Sequence, residues 1–411
     1  MPCVACDEAV DKTRGLRRYL LVCLLGVPSL AAAQTDVAGS LSVEPRFFLD
    51  PPAFAGQTES GLSPSVVAAP EFRHEWNNAN DRLTIVPFVR LDADDDERTH
   101  FDVREASWQH IAGAWTFRLG LGQVFWGVTE SRHLVNIINQ IDQVEDIDEE
   151  DRLGQPMINA ERYTRYGTFG AYLLPGFRER TFPADDARLR GTLPVATELT
   201  VYESGSKDRH TDIALRWEQS TGNWDLGVSG FYGTGREPRL VPDVSGSGTE
   251  VLVPHYDLIG QLGLDLHYTR GAWLWKLEAI RRSGQGRPFG AYTAGFEYTF
   301  YAIGQTNADL GFLVERLYDG RDVTAPATAL TDDLFIGTRL ALNDVNDTML
   351  LFGAIVDRDD HGVVSFVEGQ RRIWDRWRLE VELRLLDDAE GQVLRAFSSD
   401  SFLTLRLARF F

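Results

Sequence analysis

The sequence predicts an all-β protein, a transmembrane antiparallel β-barrel of about 18 strands (16 is the alternative count), preceded by a cleavable signal peptide. Three observations predict this fold. Segments of about ten residues alternate apolar and polar side chains, short turns alternate with long acidic loops, and tryptophans collect beside the short turns. Mean hydropathy is −0.22 and no long apolar run follows residue 33. Any membrane crossing must therefore use paired strands, because backbone groups in lipid must be satisfied within the protein.

The first element is an export signal over residues 1–33. Arg14, Arg17 and Arg18 precede an apolar run, and Ala31, Ala32 and Ala33 supply the small residues that a signal peptidase requires. The run is shorter than the roughly 20 residues that a membrane-spanning helix needs. The predicted organisation is therefore a signal peptide over residues 1–33 and a barrel over residues 34–411.

Cysteine content and charge exclude several functions for the mature chain. All three cysteines, Cys3, Cys6 and Cys23, precede the predicted cleavage site. Disulfides, thiol catalysis and cysteine-ligated metals are therefore not expected. The chain carries a formal net charge of −20. Binding to nucleic acid is not expected either, because such binding depends on neutralising phosphates with cationic side chains.

The strands are predicted from alternation with a period of two. In residues 256–268 apolar residues occupy every second position, and Asp257, Gln261, Asp265 and His267 lie between them. A strand separates these two sets onto opposite faces, whereas a helix would mix them. The predicted strands begin near residues 39, 65, 82, 101, 115, 163, 196, 209, 224, 254, 272, 289, 307, 332, 348, 362, 376 and 400.

The connections between strands predict which rim is which. Short turns fall at residues 77–81, 112–114, 220–223, 270–271, 343–347 and 375. In bacterial barrels the short turns face the periplasm. The alternation places one long connection, Pro175–Ala196, on this same side as an exception. Nine of the ten tryptophans flank the short turns and Trp126 does not, which is typical of an aromatic girdle at a membrane interface.

The last segment carries a resemblance to a known family. Residues 401–411 alternate leucine with polar residues and end in Phe411. This pattern resembles bacterial outer-membrane porins, whose terminal aromatic residue is recognised by the barrel-assembly machinery. Residues 115–127, followed by Asn136 and Asn139, are similar to a strand-and-loop pattern of uncharacterised porin-like proteins of proteobacteria. The resemblance implies an outer-membrane barrel with Phe411 as its assembly signal, but it implies no substrate.

Charged side chains are predicted on the inner face of the barrel wall, with both signs mixed. A wall of this kind either lines a pore, where its transverse field orders solutes, or forms a salt-bridge network that fills the interior. A barrel of 16 to 18 strands is wide enough for a water channel. The pore-lining candidates are Glu71, Arg73, Arg118, Arg216, Asp265, Glu297, Arg339, Glu380, Arg384 and Arg406.

The longest predicted loop, Val128–Arg162, is strongly acidic. It could fold inward and constrict the pore, where its carboxylates would favour cations, or remain outside as a solvated loop or one bridged by divalent cations to lipopolysaccharide. Four arginines in Pro175–Ala196 suit a partial plug, but a periplasmic linker is the favoured interpretation. The constriction candidates are Asp146, Asp148, Glu149, Glu150 and Asp151.

These observations favour a porin-like channel in the bacterial outer membrane, which passes small solutes by diffusion with a modest preference for cations. The alternatives are a conduit for hydrophobic compounds or lipids, a lipid-acting barrel enzyme, and a structural barrel with a blocked lumen. No catalytic residue, metal or cofactor is expected, because no histidine is followed two residues later by serine and no G-x-S-x-G or H-E-x-x-H motif occurs. Expected partners are membrane lipid, lipopolysaccharide, the assembly machinery and small solutes; the oligomeric state is not predicted.

Overall fold

The computed structural model describes residues 33–246, 248–359, 361–388 and 394–411. The predicted signal peptide, except Ala33, lies outside the described residues. Four short 3-10 helices accompany the strands, at Thr197–Leu199, Lys207–Arg209, Ile303–Gln305 and Leu394–Phe397. The strands are β1 (Gln34–Phe48), β2 (Leu62–Trp76), β3 (Asp81–Asp92), β4 (His100–Ala112), β5 (Trp115–Gly122), β6 (Gln155–Thr164), β7 (Gly167–Pro175), β8 (Val201–Tyr202), β9 (Thr211–Thr221), β10 (Trp224–Thr234), β11 (Arg239–Val244), β12 (Glu250–Tyr256), β13 (Leu258–Arg270), β14 (Trp273–Gly284), β15 (Gly286–Phe300), β16 (Asp309–Asp319), β17 (Asp332–Ala341), β18 (Met349–Asp357), β19 (Val363–Trp374), β20 (Trp377–Asp388) and β21 (Phe402–Phe410).

Eighteen of these strands form one closed antiparallel barrel. Each pairs with its neighbours along the wall, and β1 closes the barrel against β21, with Val43 opposite Leu407. The predicted all-β antiparallel barrel and its count of 18 strands are confirmed. The remaining strands β8, β11 and β12 form a separate three-stranded sheet that is not part of the barrel wall. Within the described residues no helix has the length and apolar character to cross a bilayer.

The wall separates apolar from polar side chains as the alternation predicts. Leu215 and Leu262 point outward and are 65% and 67% exposed. Gln261 and Asp265, on the opposite face of the same strand as Leu262, are buried in the interior. Successive side chains of a strand point to opposite faces, so one sequence pattern builds both surfaces.

The connections define two rims. Eight connections of two to eight residues and both ends of the barrel chain lie on one rim, here called the short-turn rim. The long connections, including residues 123–154 and 176–210, lie on the other, here called the long-loop rim. Nine tryptophans lie near the short-turn rim, whereas Trp126 lies in the connection 123–154 and is only 4% exposed.

Two strand assignments from the sequence are wrong. Residues 155–164, predicted as the end of a loop, form β6, which makes a hairpin with β7 through Arg165 and Tyr166. The strand predicted near residue 196 is not part of the wall. The two errors cancel in the count but change the position of one connection. Pro175–Ala196 leaves β7 on the long-loop rim, whereas the sequence predicted it on the rim of the short turns. Apolar and polar residues alternate over only a few positions of β6. The tight turn at Arg165 and Tyr166 was not recognised because tyrosine, which is common in strands, stands on both sides of Arg165.

Candidate functional site

The connection between β5 and β6, residues 123–154, folds into the barrel and is here called the inward segment. Val135, Ile138 and Asp142 within it are fully buried. The Asn139 side chain ties its two ends together: its amide donates to the carbonyls of Gly122 and Leu153, and its oxygen accepts from the Val124 backbone N–H. The loop predicted at Val128–Arg162 is therefore inside the lumen, up to the start of β6.

An apolar seat on the wall receives the inward segment. Side chains of the segment and inward-facing side chains of β6, β7, β9, β10, β13, β14 and β15 form one buried cluster. Its members are Trp126, Leu134, Val135, Ile137, Ile138, Met157, Tyr172, Leu174, Ala214, Phe231, Ile259, Ile280 and Ala291. Gly263 allows the close approach, since a Cβ there would lie 2.5 Å from Ser229 Oγ and 3.2 Å from Val135 Cγ1. Burial of this much apolar surface holds the segment against the wall.

Two buried wall carboxylates anchor the turn at the start of the inward segment. Glu278 accepts hydrogen bonds from the backbone N–H groups of Val128, at 2.7 Å, and of Thr129 and Val135. Glu315 accepts from the backbone N–H groups of Glu130 and Ser131 and from the Ser131 hydroxyl, at 2.6 Å. Hydrogen bonds to an ionised acceptor are stronger than neutral ones, so these contacts fix the entry of the segment into the lumen.

Buried ion pairs clamp the far end of the inward segment. Arg90, which is 1% exposed, donates to Glu145 at 2.6 Å and to Glu44 at 2.8 Å. Arg46 donates to Asp146 at 2.7 Å. Removing one partner of such a pair leaves an uncompensated buried charge, which costs about 3–5 kcal/mol. The segment is therefore held on both sides of the barrel.

A cavity of about 1,520 Å³ remains between the inward segment and the wall strands β17–β21 and β1. Its lining extends from Met349 and Gln370, at the short-turn ends of β18 and β19, to Leu394 and Phe397 beyond β20 on the long-loop side. The cavity thus reaches along the barrel axis beside the inward segment. Arginines and carboxylates line it in similar numbers.

Arginines and carboxylates line the cavity in similar numbers, but the exposed charged side chains are mostly carboxylates. The Glu149, Glu150 and Glu368 side chains are 49%, 51% and 43% exposed. Most of the arginines are buried in ion pairs; Arg384, at 10% exposure, is typical. Arg339 and Arg406, at 35% and 44%, are the more accessible ones among the described wall arginines of the cavity. A solute therefore meets an excess of carboxylates.

The ten pore-lining candidates do not meet in one place. Arg339, Glu380, Arg384 and Arg406 border the large cavity, and Arg118 and Arg216 border a second cavity of about 260 Å³ beside Trp126.

The other four candidates are engaged elsewhere. Glu71 and Arg73 pair at 2.7 Å on the short-turn side of β2, and buried Asp265 pairs with Arg216 at 2.8 Å. Glu297 lies 3.9 Å from both Lys276 and Arg339. Whether solutes pass any of the ten stays a prediction.

All five constriction candidates border the large cavity. Asp146, Asp148, Glu149 and Glu150 pair with Arg46, Arg384, Arg180 and His133, respectively.

The pKa values of these carboxyls are shifted in different directions by their surroundings. Partial desolvation in the lumen and the nearby Glu145 raise the pKa of Asp151 to about 6. Desolvation and the adjacent Asp146 likewise raise the pKa of Asp148 well above its ordinary value. Burial acts in the same direction on Asp146, but Arg46 and Arg384 hold its pKa below the ordinary value.

The connection 176–210 caps the lumen on the long-loop side. Phe177 and Arg188 are buried, Arg188 pairs with Asp400 at 2.9 Å, and Arg178 pairs with Asp102 at 2.8 Å. The favoured interpretation of Pro175–Ala196 as a periplasmic linker is therefore wrong. Three of its four arginines, Arg178, Arg180 and Arg188, pair with carboxylates of other segments, and Arg190 donates to backbone carbonyls.

Sequence reasoning missed the apolar seat of the inward segment. Phe231, Ile259 and Ile280 point inward from strands whose other face is also apolar. Each is an apolar residue on an inner face that otherwise carries polar side chains such as Gln261 and Glu278. Such interruptions of the alternation on adjacent strands are the signal that could have located the covered part of the wall.

No family model and no curated protein matches this chain. Among solved structures, it is similar to Wzi, described as an outer-membrane protein involved in group 1 capsule assembly in Escherichia coli and a carbohydrate-binding β-barrel. That likeness has a TM-score of 0.51 at 10% identity over 90% of this chain and 83% of Wzi.

Two further neighbours are outer-membrane OmpT of Vibrio cholerae (TM-score 0.45, 11% identity, 92% of this chain and 98% of that one) and a mutant Rh. blastica porin (0.44, 10%, 92% and 100%). The structural neighbours are thus outer-membrane porins and barrels. At this identity the likeness concerns the fold, and the predicted porin-like sequence family and the absence of enzymatic activity stay predictions.

Proposed function

We propose that this protein is a porin-like channel of the bacterial outer membrane that passes small solutes by diffusion. The observation that carries the proposal is the cavity beside the inward segment, whose lining extends from the short-turn ends of β18 and β19 to the long-loop side. A charged, water-accessible passage within a barrel is the arrangement by which pores conduct small polar solutes.

The outer surface supports the membrane location. Aliphatic and aromatic side chains cover the outward faces, including Leu41, Phe117, Ile213 and Phe352, each at least 42% exposed. An apolar surface of this extent exceeds what monomeric soluble proteins expose. With the tryptophan-rich rim it matches the lipid-facing band and interfacial girdle of a transmembrane barrel. Lipid, lipopolysaccharide and the assembly machinery are the proposed partners.

The proposed selectivity is a modest preference for cations. The accessible charges of the passage are mostly carboxylates of the inward segment and of Glu368, whereas many facing arginines are buried in ion pairs. Charges in a narrow, low-dielectric passage act more strongly than charges in open solvent. The total charge of the lining is nearly balanced, so the preference is expected to be small.

Reversal potentials under a salt gradient test this proposal. Neutralising Asp146, Asp148, Glu149, Glu150 and Asp151 together should lower the ratio of cation to anion permeability. The matched control neutralises the exposed Asp96 and Glu97 of the β3–β4 loop and leaves the ratio unchanged, because salt screens charges beyond about 8–10 Å. An anion-selective pore, or a ratio that ignores the five changes, would contradict the proposed mechanism.

A further inference from the structure

The wall of the large cavity changes character along the barrel axis. On β18–β20, the cavity-lining residues toward the long-loop rim are Ile355, Val364, Phe366 and Leu386. Closer to the short-turn rim, β19 and β20 present Glu368, Glu380 and Glu382, whereas β18 presents Leu351 and Met349. Arg384 of β20 lies opposite Phe366, with its guanidinium 4.9 Å from the ring centroid, and marks the boundary between the two parts. On β19 and β20 the passage therefore has an apolar level near the long-loop rim and a charged level nearer the short-turn rim.

The connections of the long-loop rim extend the apolar level. Several segments that border the cavity there combine apolar residues with a few arginines, among them Arg190, Arg239 and Arg321. They contribute Leu189, Leu193, Pro194, Val195, Leu240, Val241, Pro242, Leu252, Ala325, Pro326, Ala327, Ala329, Leu330 and Phe397. The apolar part of this lining is large enough to desolvate a hydrophobic group.

The charged level below this enclosure has a negative excess. Arg384 donates to Glu368 at 2.8 Å, to Asp148 at 2.9 Å and to Glu382 at 2.7 Å. Oxygen atoms of Asp146, Asp148 and Glu382 lie within 4.8 Å of one another. Arg46 is the second guanidinium, so two cationic groups face four carboxylates. Glu368 and Asp148 remain accessible from the cavity.

We propose that the cavity binds an amphipathic organic cation, a molecule with an apolar body and an ammonium group. The apolar body lies against Ile355, Val364 and Phe366, and the ammonium group donates to Glu368 and Asp148 below. This inference rests on the proposed function, whose solute class it names. Both parts of such a solute find their complement at adjacent levels of one cavity, and apolar burial supplies the affinity that exposed charges alone do not.

Three probes separate the contributions of the two levels: benzylammonium, methylammonium and phenylacetate. Isothermal titration calorimetry on the detergent-solubilised barrel, with empty micelles as the blank, measures binding at neutral pH. Benzylammonium should bind about tenfold or more tightly than methylammonium, because it also buries a ring. Phenylacetate, with the same ring and the opposite charge, should bind more weakly than benzylammonium by a similar factor.

Two substitutions assign the levels. Phe366→Ser should weaken benzylammonium several-fold with little effect on methylammonium, and Glu368→Gln should weaken both cations. Ile355→Thr provides a second apolar-level variant in case Phe366→Ser fails to fold. Val367→Thr, on the same strand as Phe366 with its side chain on the outward face, is the matched control and should bind all probes as the unaltered protein does.

Equal binding of benzylammonium and methylammonium, or tighter binding of phenylacetate, would overturn the inference. Channel recordings on the same preparation keep the two proposals distinguishable. A barrel that conducts potassium chloride but does not discriminate the probes refutes the amphipathic cation alone. A barrel that binds benzylammonium as expected but passes no current refutes the channel alone.

Discussion

The two halves of the lumen wall differ in what covers them. The wall strands from β6 to β15 carry the apolar seat under the inward segment, with Phe231, Ile259 and Ile280 pointing inward. Strands β17–β21 and β1 carry charged inward residues such as Glu44 and Arg406 and border the large cavity. The first set is here called the covered half and the second the open half.

The comparison teaches that alternation decides only which residues point inward. The chemistry of those inward residues decides what lies against them. Apolar and small inward side chains gain free energy by burial against another segment of the chain. Charged inward side chains remain beside water or form ion pairs with other side chains of the lumen, because burying an unpaired charge is costly. One wall can therefore hold a segment on one side and leave a passage on the other.

The largest expected effect is failure of the whole barrel, the covered half and the open half together, to assemble when Phe411 is deleted. The Phe411 backbone N–H donates to Gly39 O at 3.1 Å, next to the closing β1–β21 pair. Removing the residue should abolish or strongly reduce the heat-modifiable barrel in the outer membrane, measured by gel migration of membrane fractions. Phe411→Tyr keeps the aromatic ring and should assemble. Normal assembly of the deletion variant would remove Phe411 from its proposed role.

A smaller effect should follow from releasing the inward segment from the covered half of the wall. Glu278→Gln combined with Glu315→Gln replaces the two charged acceptors that hold the start of the inward segment. Each charged hydrogen bond contributes about 1.5–3 kcal/mol, so the detached state of the segment should gain at least tenfold in population. Single-channel recordings should show larger and noisier currents.

Glu71→Gln is the control for this release, because Glu71 pairs with Arg73 on the short-turn side of β2, away from the start of the inward segment. Unchanged currents in the double variant would mean that the apolar seat alone holds the segment in place.

The pH dependence of selectivity should be modest and specific to the open half. Desolvation raises the pKa of Asp151 to about 6, so this carboxyl becomes neutral in a range where ordinary carboxyls stay charged, and desolvation with the adjacent Asp146 raises the pKa of Asp148 in the same direction. The preference for cations should fall between pH 7.5 and pH 5. Reversal potentials of a variant with Asp148→Asn and Asp151→Asn should show no such fall in this window. An equal fall in both proteins would assign the effect to other groups.

The smallest expected effect concerns His133 of the inward segment. Burial disfavours its charged form, but hydrogen bonding to Glu150 and Glu278 raises the pKa of His133 to about 9. A raised pKa means that the protonated imidazole stabilises the folded segment fully below about pH 6.5, and that this contribution is lost as the pH rises through 9. Current noise should therefore increase between pH 8 and pH 10, and His133→Gln should be noisy at both values. Current noise that does not change between pH 8 and pH 10 would contradict this account.

The sequence predicts the barrel because each wall strand repeats one local rule over about ten residues. It fails where that rule is short or absent. β6 is a short strand between an acidic segment and a tight turn, so residues 155–164 were assigned to a loop and Pro175–Ala196 to the wrong rim. The contacts of Asn139, Glu278 and Arg90 with distant residues join segments far apart in the chain, and no local spacing encodes them.

The acidic composition of the inward segment predicts a functional loop but not its seat. The seat depends on Gly263 and on apolar inward residues of several strands, whose register becomes visible only when the barrel is closed.

The central claim, that solutes pass along the open half, can be tested directly with single cysteines. The predicted mature chain contains none, so Glu368→Cys in the open half and Ser229→Cys under the inward segment provide unique thiols. Single-channel currents in planar bilayers are recorded before and after a bulky thiol reagent is added. The account predicts discrete conductance that drops in the Glu368→Cys protein and is unchanged in the Ser229→Cys protein. A folded barrel that passes no current, or one that is blocked equally at both positions, would contradict it.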